Sequence, residues 1–263
     1  MPGFRFRQTS PVTPDVTRPA PAIHFDNVGF SFPGKTVFSG LNLFVESGLC
    51  TCILGPSGCG KSTLLRLISG SAGLTFTGTI RFGDNSRQQG RTAWMAQQDL
   101  LLPWMSIRDN VLLGDRLRGT VTVGKRSAAN RLLAAAGLEG WGEKLPGVLS
   151  GGMRQRVALL RTLMEDRSVI LMDEPFSALD ALTRIKLQNL TIQLIQGATV
   201  LLVTHDPMEA LRVADRIYVL SGQPARPGAV ITPPGPRPRD VSDAAFARLN
   251  AQLLDQLLGE DGP

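Results

Sequence analysis

The segment Gly55-Pro56-Ser57-Gly58-Cys59-Gly60-Lys61-Ser62-Thr63 lies between an apolar run, Leu49–Leu54, and a stretch of helical spacing, Ser62–Ser69. No other feature narrows the possible folds as much. Glycines let the backbone curl so that successive N–H groups converge on one point, and the following helix N-terminus adds positive potential there. That composition suits a phosphate. Lys61 is placed to reach its outer oxygens, and the Ser62 hydroxyl to ligate Mg²⁺. A solvated lysine on a glycine-rich turn would not require the strand–loop–helix order.

A second motif, Val169-Ile-Leu-Met-Asp173-Glu174-Pro175, delivers two carboxylates at the end of a hydrophobic run. Taken alone, it is equally a surface turn. Beside a phosphate loop, Asp173 is the carboxylate that holds Mg²⁺, and Glu174 stands where it can orient or deprotonate an attacking water.

The runs Leu49–Leu54, Val169–Met172 and Thr199–Val203 are each followed by a helix-like segment, which predicts a parallel α/β sheet covered on both faces. Helical spacing recurs over Ser62–Ser69, Ala128–Ala136, Arg154–Met164 and Leu179–Ile195. Alternation over Ala22–Asn27, Thr36–Val45 and Gly78–Phe82 predicts antiparallel strands at the N-terminal side. Prolines mark the ends of the ordered region. Of 18, five fall in residues 1–22 and six in 224–238. Residues 1–22 therefore read as a disordered tail, 23–222 as the folded domain and 223–263 as an extended connector closed by a short amphipathic helix. No apolar run reaches the ~18–20 residues of a membrane span, and the N-terminus lacks a secretory signal's apolar stretch. Cys50, Cys52 and Cys59 are too few and too closely spaced for a disulfide scaffold. Cys59, set among the loop amides, is expected to be a reactive thiol if solvent reaches it. The formal charge of +6 hints at an anionic partner but equally at a solvated basic face.

Leu149-Ser150-Gly151-Gly152-Met153-Arg154-Gln155-Arg156 opens the helix that leads to the Asp173 run, with Ser150 23 residues before Asp173. By itself it is a serine-capped helix or a second phosphate-facing nest. With the two motifs above, it makes residues 23–220 resemble the ATP-binding subunits of ABC transporters, Met153 replacing the usual glutamine of their signature. The resemblance implies an α/β fold of P-loop NTPase type: a RecA-like parallel-sheet core, an N-terminal antiparallel β subdomain and an α-helical insertion over about residues 99–155. It implies that Ser150, Gly151 and Gly152 face ATP bound by a second copy of the chain. It places Phe32 against adenine, although Phe32 also suits an edge-strand core. It gives Gln97, with Gln98 as rival, a contact to Mg²⁺ and to a membrane partner. Asp180, in Ser177-Ala-Leu-Asp180, falls on the loop crossing the dimer interface, and His205 on the contact to the γ-phosphate. His24 has no such context and reads as structural.

Ser150 lies 53 positions after Gln97, too close for the long coiled coil of the nucleic-acid-handling members, so no nucleic-acid partner is expected. A single cassette with no membrane domain resembles an importer subunit on the cytoplasmic face of the inner membrane. Its implied partners are a second copy, an integral-membrane permease and, indirectly, a periplasmic or extracellular substrate-binding protein. A soluble ABC ATPase serving iron–sulfur assembly is the alternative. Leu100–Ile107, with Leu101, Leu102, Trp104 and Met105, is either core of the insertion or a groove for a permease helix, with Trp104 expected to be partly exposed. The basic stretch Arg108–Arg131 suits anionic headgroups or solvent. The wording around Trp94–Trp104 is similar to the nitrate/sulfonate/taurine group, and within it to subunits assigned to hydroxymethylpyrimidine.

Overall fold

A computed structural model describes residues 20–71, 73–83 and 92–258. The apolar runs form the strands β3 (Cys50–Leu54), β6 (Val169–Asp173) and β7 (Thr199–Thr204), in which every residue is buried. These strands are continuous rather than alternating in hydrophobicity because both faces of a parallel sheet are covered. Cys50, Cys52, Leu54, Ile170, Met172, Val200 and Leu202 enter one apolar cluster, while Ile53, Val169, Leu171, Leu201 and Val203 enter the cluster on the opposite face. The short strands β5 (Thr92–Met95), β8 (Arg216–Ser221) and β9 (Arg226–Pro227), which no periodicity announced, complete a sheet of order β5-β6-β7-β3-β8-β9. All its pairings are parallel except β8–β9.

The expected antiparallel strands are β1 (Ile23–Phe32), β2 (Lys35–Val45) and β4 (Thr77–Phe82), in the order β2-β1-β4. Their inward residues Ile23, Phe25, Phe38 and Val45 pack with Leu64, Leu65 and Ile68 of helix α1 (Lys61–Ser69), fixing this sheet over the phosphate-loop helix. His24 packs at a tilt against Phe44, ring centroids 4.7 Å apart, a structural contact.

Between β5 and β6 the chain is helical. Short helices α2 (Ile107–Val111) and α3 (Leu113–Arg118) precede α4 (Val123–Ala135) and α5 (Gly151–Met164). Asn110 ties the segment before α2 together: its side chain accepts from Leu102 N and donates to the carbonyls of Leu102, Met105 and Ser106. Most cations of the basic stretch are paired. Arg108 meets Glu143, Arg116 meets Asp109, Arg118 meets Asp115 and Glu165, and Lys125 meets Asp115. Four of its six cations are thus ion-paired, two of the partners, Glu143 and Glu165, lying outside the stretch.

Helices α6 (Ala181–Leu194) and α7 (Pro207–Val213) follow β6 and β7. The expected connector is anchored along its length. Arg239 donates to the carbonyls of Leu211, Ala214, Pro233 and Pro234, and Arg237 donates to Val213 O and pairs with Asp215. The segment is strapped across the C-terminus of α7, where open carbonyls and the helix dipole attract cations. Helix α8 (Ala244–Leu258) then buries Phe246 and Leu253. Most of the expected N-terminal tail lies outside the described residues. Ala20 is buried, however, and Thr199 Oγ1 donates to Pro21 O at 2.8 Å, so order begins at least there.

Candidate functional site

Four neighbouring parallel strands set the site. In register, Leu54 pairs with Thr204, Asp173 with Val203, and Met95 with Met172. The residues just beyond these strand ends share one edge: the loop from Gly55, His205, Glu174 and Gln97. Ligands of open α/β sheets bind at the carboxyl ends of the strands.

The loop Gly55–Gly60 turns back over β3. Gly58 and Gly60 have φ of 80° and 108°, and a Cβ on Gly60 would lie 2.6 Å from Val37 Cγ1, so only glycine fits there. Helix α1 begins at Gly60 with no side-chain cap, which leaves its first amides for a ligand. The buried Lys61 ammonium donates at 2.7 Å to both Gly55 O and Pro56 O, which holds it inside the loop. Ser57, Gly58, Gly60, Lys61, Ser62 and Thr63 form the floor of a cleft of about 410 Å³. Phe32, half-exposed and edge-on to Phe30 at 4.9 Å, stands at its wall, so it is not core. Gln97 and Glu174 line the same cleft, and Gln98 does not.

Glu174 is held from both sides. Gln97 Nε2 donates to its Oε2 at 3.2 Å, and His205 Nδ1 lies 3.0 Å from its Oε1. Its backbone has a φ of 49°, strained for a residue with a Cβ, and its N–H donates to Val203 O at 2.9 Å. Behind it, burial pushes the Asp173 carboxyl up, while a hydrogen bond from Ser62 opposes that rise.

A hard divalent cation fits this corner. Mg²⁺ takes one or two protein oxygens and fills its octahedron with phosphate oxygens and water. The Ser62 hydroxyl, the Asp173 carboxylate and the Gln97 carbonyl supply donors of that kind. Among the described residues, no group of three or more His, Cys, Asp or Glu could hold a metal alone, so such an ion would arrive with its phosphate.

Ser150, Gly151, Gly152 and Asp180 do not line this cleft. Ser150 caps α5, accepting from Met153 N at 3.3 Å, and Asp180 caps α6, accepting from Thr183 N at 3.0 Å. Gly152 is closely packed: a Cβ there would lie 3.0 Å from Ala178 O. The Cys59 side chain is buried in the apolar cluster, so the solvent access on which a reactive thiol depends is not met. Its backbone, not its sulfur, belongs to the loop.

Lys35, Val37 and Arg66 also line the cleft, and none was singled out from sequence. Lys35 pairs with Phe32 across the β1–β2 turn, and Arg66 lies one helical turn beyond Ser62, so both were findable by spacing. Gln155 was also missed. It reaches the backbone at Glu174 from α5.

Residues 38–177 match the model of the family described as ABC transporter. The chain is 43% identical over 241 residues to an uncharacterized ABC transporter ATP-binding protein of Haemophilus influenzae, covering 90% of this chain and 99% of that one. It is 44% identical over 232 residues to the aliphatic sulfonates import ATP-binding protein SsuB 1 of Pseudomonas syringae pv. syringae, covering 86% and 92%. Among solved structures, it is similar to the ATP-binding cassette MJ0796 as a dimer in a post-hydrolysis state with ADP and Pi. That likeness has a TM-score of 0.71 at 29% identity and covers 81% of this chain and 99% of that one.

Proposed function

The chain belongs to the ABC transporter family as an ATP-hydrolysing subunit of an importer, and we propose that two copies, docked on a permease at the cytoplasmic face of the membrane, drive uptake of an aliphatic sulfonate. The observation that carries the reading is the Glu174 carboxylate, held between Gln97 and His205 at the mouth of the phosphate loop.

ATP would lie with adenine against Phe32 and its phosphates on the amides of Ser57–Thr63. Lys61 supplies the fixed cation for the outer phosphates. Ser62, Asp173 and Gln97 are the residues that would hold Mg²⁺, which neutralises phosphate charge when bound. A carboxylate has about four lone-pair sites, so Glu174 can accept from Gln97 and still take a proton from water. The water oxygen attacks the γ-phosphorus, the bond to the β-phosphate oxygen breaks, and the water's proton passes to Glu174. His205 contacts both Glu174 and the departing phosphoryl group. Preorganised donors of this kind stabilise the charge as it develops.

Ser150, Gly151, Gly152 and Asp180 face out of the chain's own cleft, which supports their role toward ATP held by a second copy. The dimeric MJ0796 cassette supports the same pairing. No helix among the described residues is long and apolar enough to cross a membrane. The import ATP-binding names of the relatives support a permease partner, which a substrate-binding protein would load. The relatives named for sulfonate import favour a sulfonate over hydroxymethylpyrimidine, and they disfavour an iron–sulfur assembly role.

The test is growth on an alkanesulfonate as the sole sulfur source. Deleting the gene should abolish growth, wild type should restore it, and Glu174→Gln should not. Normal growth of the deletion strain would overturn the substrate.

A further inference from the structure

We infer that Gln155 is a positioning residue for hydrolysis, locking the backbone of Glu174 and the start of the Ser177–Asp180 loop to the helix that carries Ser150. The inference rests on the reading of Glu174 given above.

Gln155 lies on α5, one and a half turns after Ser150, and its side chain is buried. Every polar atom of its amide is engaged on the segment after Asp173. Nε2 donates to Glu174 O at 3.0 Å and to Ser177 Oγ at 3.3 Å, and Oε1 accepts from Ala178 N at 2.8 Å. The Ala178 N–H fixes the orientation, because the reversed amide would set donor against donor. Ser177 Oγ also donates to Glu174 O at 3.1 Å, so two donors converge on one carbonyl.

That carbonyl belongs to the strained residue of the site. A φ of 49° persists in a side-chain-bearing residue only when its surroundings over-determine it. Glu174 N is held by Val203 O, and Glu174 O by Gln155 and Ser177. The carboxylate's direction follows from these anchors. Without the Gln155 donor, the peptide after Glu174 is free to rotate toward ordinary φ, swinging the carboxylate away from Gln97 and His205. Gly152, packed on Ala178 O one turn earlier on α5, keeps the same two segments in contact. One helix therefore presents Ser150 outward, and its next turns hold the chain's own catalytic carboxylate.

The test uses the full-length protein with Gln155→Met, which keeps length and loses every hydrogen bond. The expected result is a kcat loss on the order of tenfold to a hundredfold, the scale of a displaced catalytic group. KM for ATP and the affinity for fluorescent nucleotide should stay within about twofold, because the phosphate loop is untouched. In a Glu174→Gln background, Gln155→Met should lower residual single-turnover hydrolysis no further, since the group it positions is already gone. Should Gln155→Met lack a cooperative melt, Gln155→Glu, which retains the acceptor for Ala178 N, is measured in the same way. A folded variant with wild-type kcat overturns the proposal, as does a kcat loss that is additive with Glu174→Gln or matched by an equal loss of nucleotide affinity. If Glu174→Gln alone left the wild-type rate intact, the assignment of Glu174 would fall first.

Discussion

His205 Nδ1 and Glu174 Oε1 stand 3.0 Å apart although 31 residues separate them in the chain. They meet because β6 and β7 are parallel neighbours that end together, Asp173 pairing with Val203. With Gln97 on its other oxygen, the Glu174 carboxylate is aimed into the cleft rather than left to rotate on the surface. Glu174→Gln keeps the shape but removes the basicity and replaces one accepting oxygen with a donating nitrogen. Hydrolysis should fall by about 10²–10⁴-fold while ATP affinity is retained. Steady-state turnover and size-exclusion chromatography with ATP check this, the second by showing a persistent ATP-bound dimer. A mutant with near-normal turnover would sink the assignment.

Lys61→Ala removes the cation held between Gly55 O and Pro56 O. The loop then loses both its charge for phosphate and its internal tether. Nucleotide affinity should drop by at least about tenfold, given that a charged hydrogen bond contributes ~1.5–3 kcal/mol. Fluorescent-nucleotide titration measures it, and an unchanged affinity would mean that the phosphates bind elsewhere.

Trp104 is 73% exposed, whereas Leu101, three residues earlier, is 9% exposed within the core of the helical segment. Trp104→Ala should therefore shift a denaturant melt of the isolated chain by no more than about 0.5 kcal/mol. Leu101→Ala should cost about 2–5 kcal/mol. Loss of permease capture in a pull-down with Trp104→Ala would mark an aromatic anchor of the interface. Undiminished capture would move the docking surface away from this loop.

All three cysteines are buried. Burial pushes the Cys50 thiol up to about 12 and Cys52 upward as well. In the native protein at pH 7.5, a bulky thiol reagent should label none of them within minutes, with or without ATP, and should label all three after denaturation. Rapid inactivation prevented by ATP would show instead that Cys59 is reached by solvent.

Glu209, on α7 just beyond His205, is buried with its Oε1 unpartnered. Burial pushes its carboxyl up to about 8, Asp206 adding to the rise and Arg184 opposing it. Because the folded chain holds this proton more tightly than the unfolded chain, the stabilisation is complete below the ordinary value of 4.5. It is lost as pH rises to about 8. Stability should decline across that window, and Glu209→Gln should flatten the decline. The rise at Asp173 acts in the same direction and remains in the variant. Urea melts at pH 5, 6.5 and 8 for both proteins decide it. Parallel slopes would place the titrating group elsewhere.

Much of the site was legible because its chemistry is contiguous in the chain. A phosphate cradle needs glycines, a lysine and a hydroxyl within one turn of backbone, so Gly55–Thr63 declares itself. Asp173 and Glu174 were legible from the buried strand that ends on them. Gln155 was not, because its burial depends on a loop 19 to 23 residues away folding back onto α5. Nothing in Arg154-Gln155-Arg156 separates it from its exposed-looking neighbours. The anchoring of the C-terminal connector was not legible for a related reason: proline content predicts extension but cannot register that Arg237 and Arg239 find the open carbonyls of α7.

The sequence by itself determined much of the local structure: the buried runs that become β3, β6 and β7, several of the helices, and which loop has the composition of a phosphate cradle. Backbone sterics and hydrophobic period act within a few residues, so they are written in the order of the chain. Only the tertiary structure decided the strand order β5-β6-β7-β3, which brings Gln97, Glu174, His205 and the phosphate loop to one edge. It also set Gln97 on the Glu174 carboxylate, buried Cys59 and left Trp104 exposed. Those outcomes depend on which surfaces are covered by distant parts of the chain, and that is settled only when both faces of the sheet are packed.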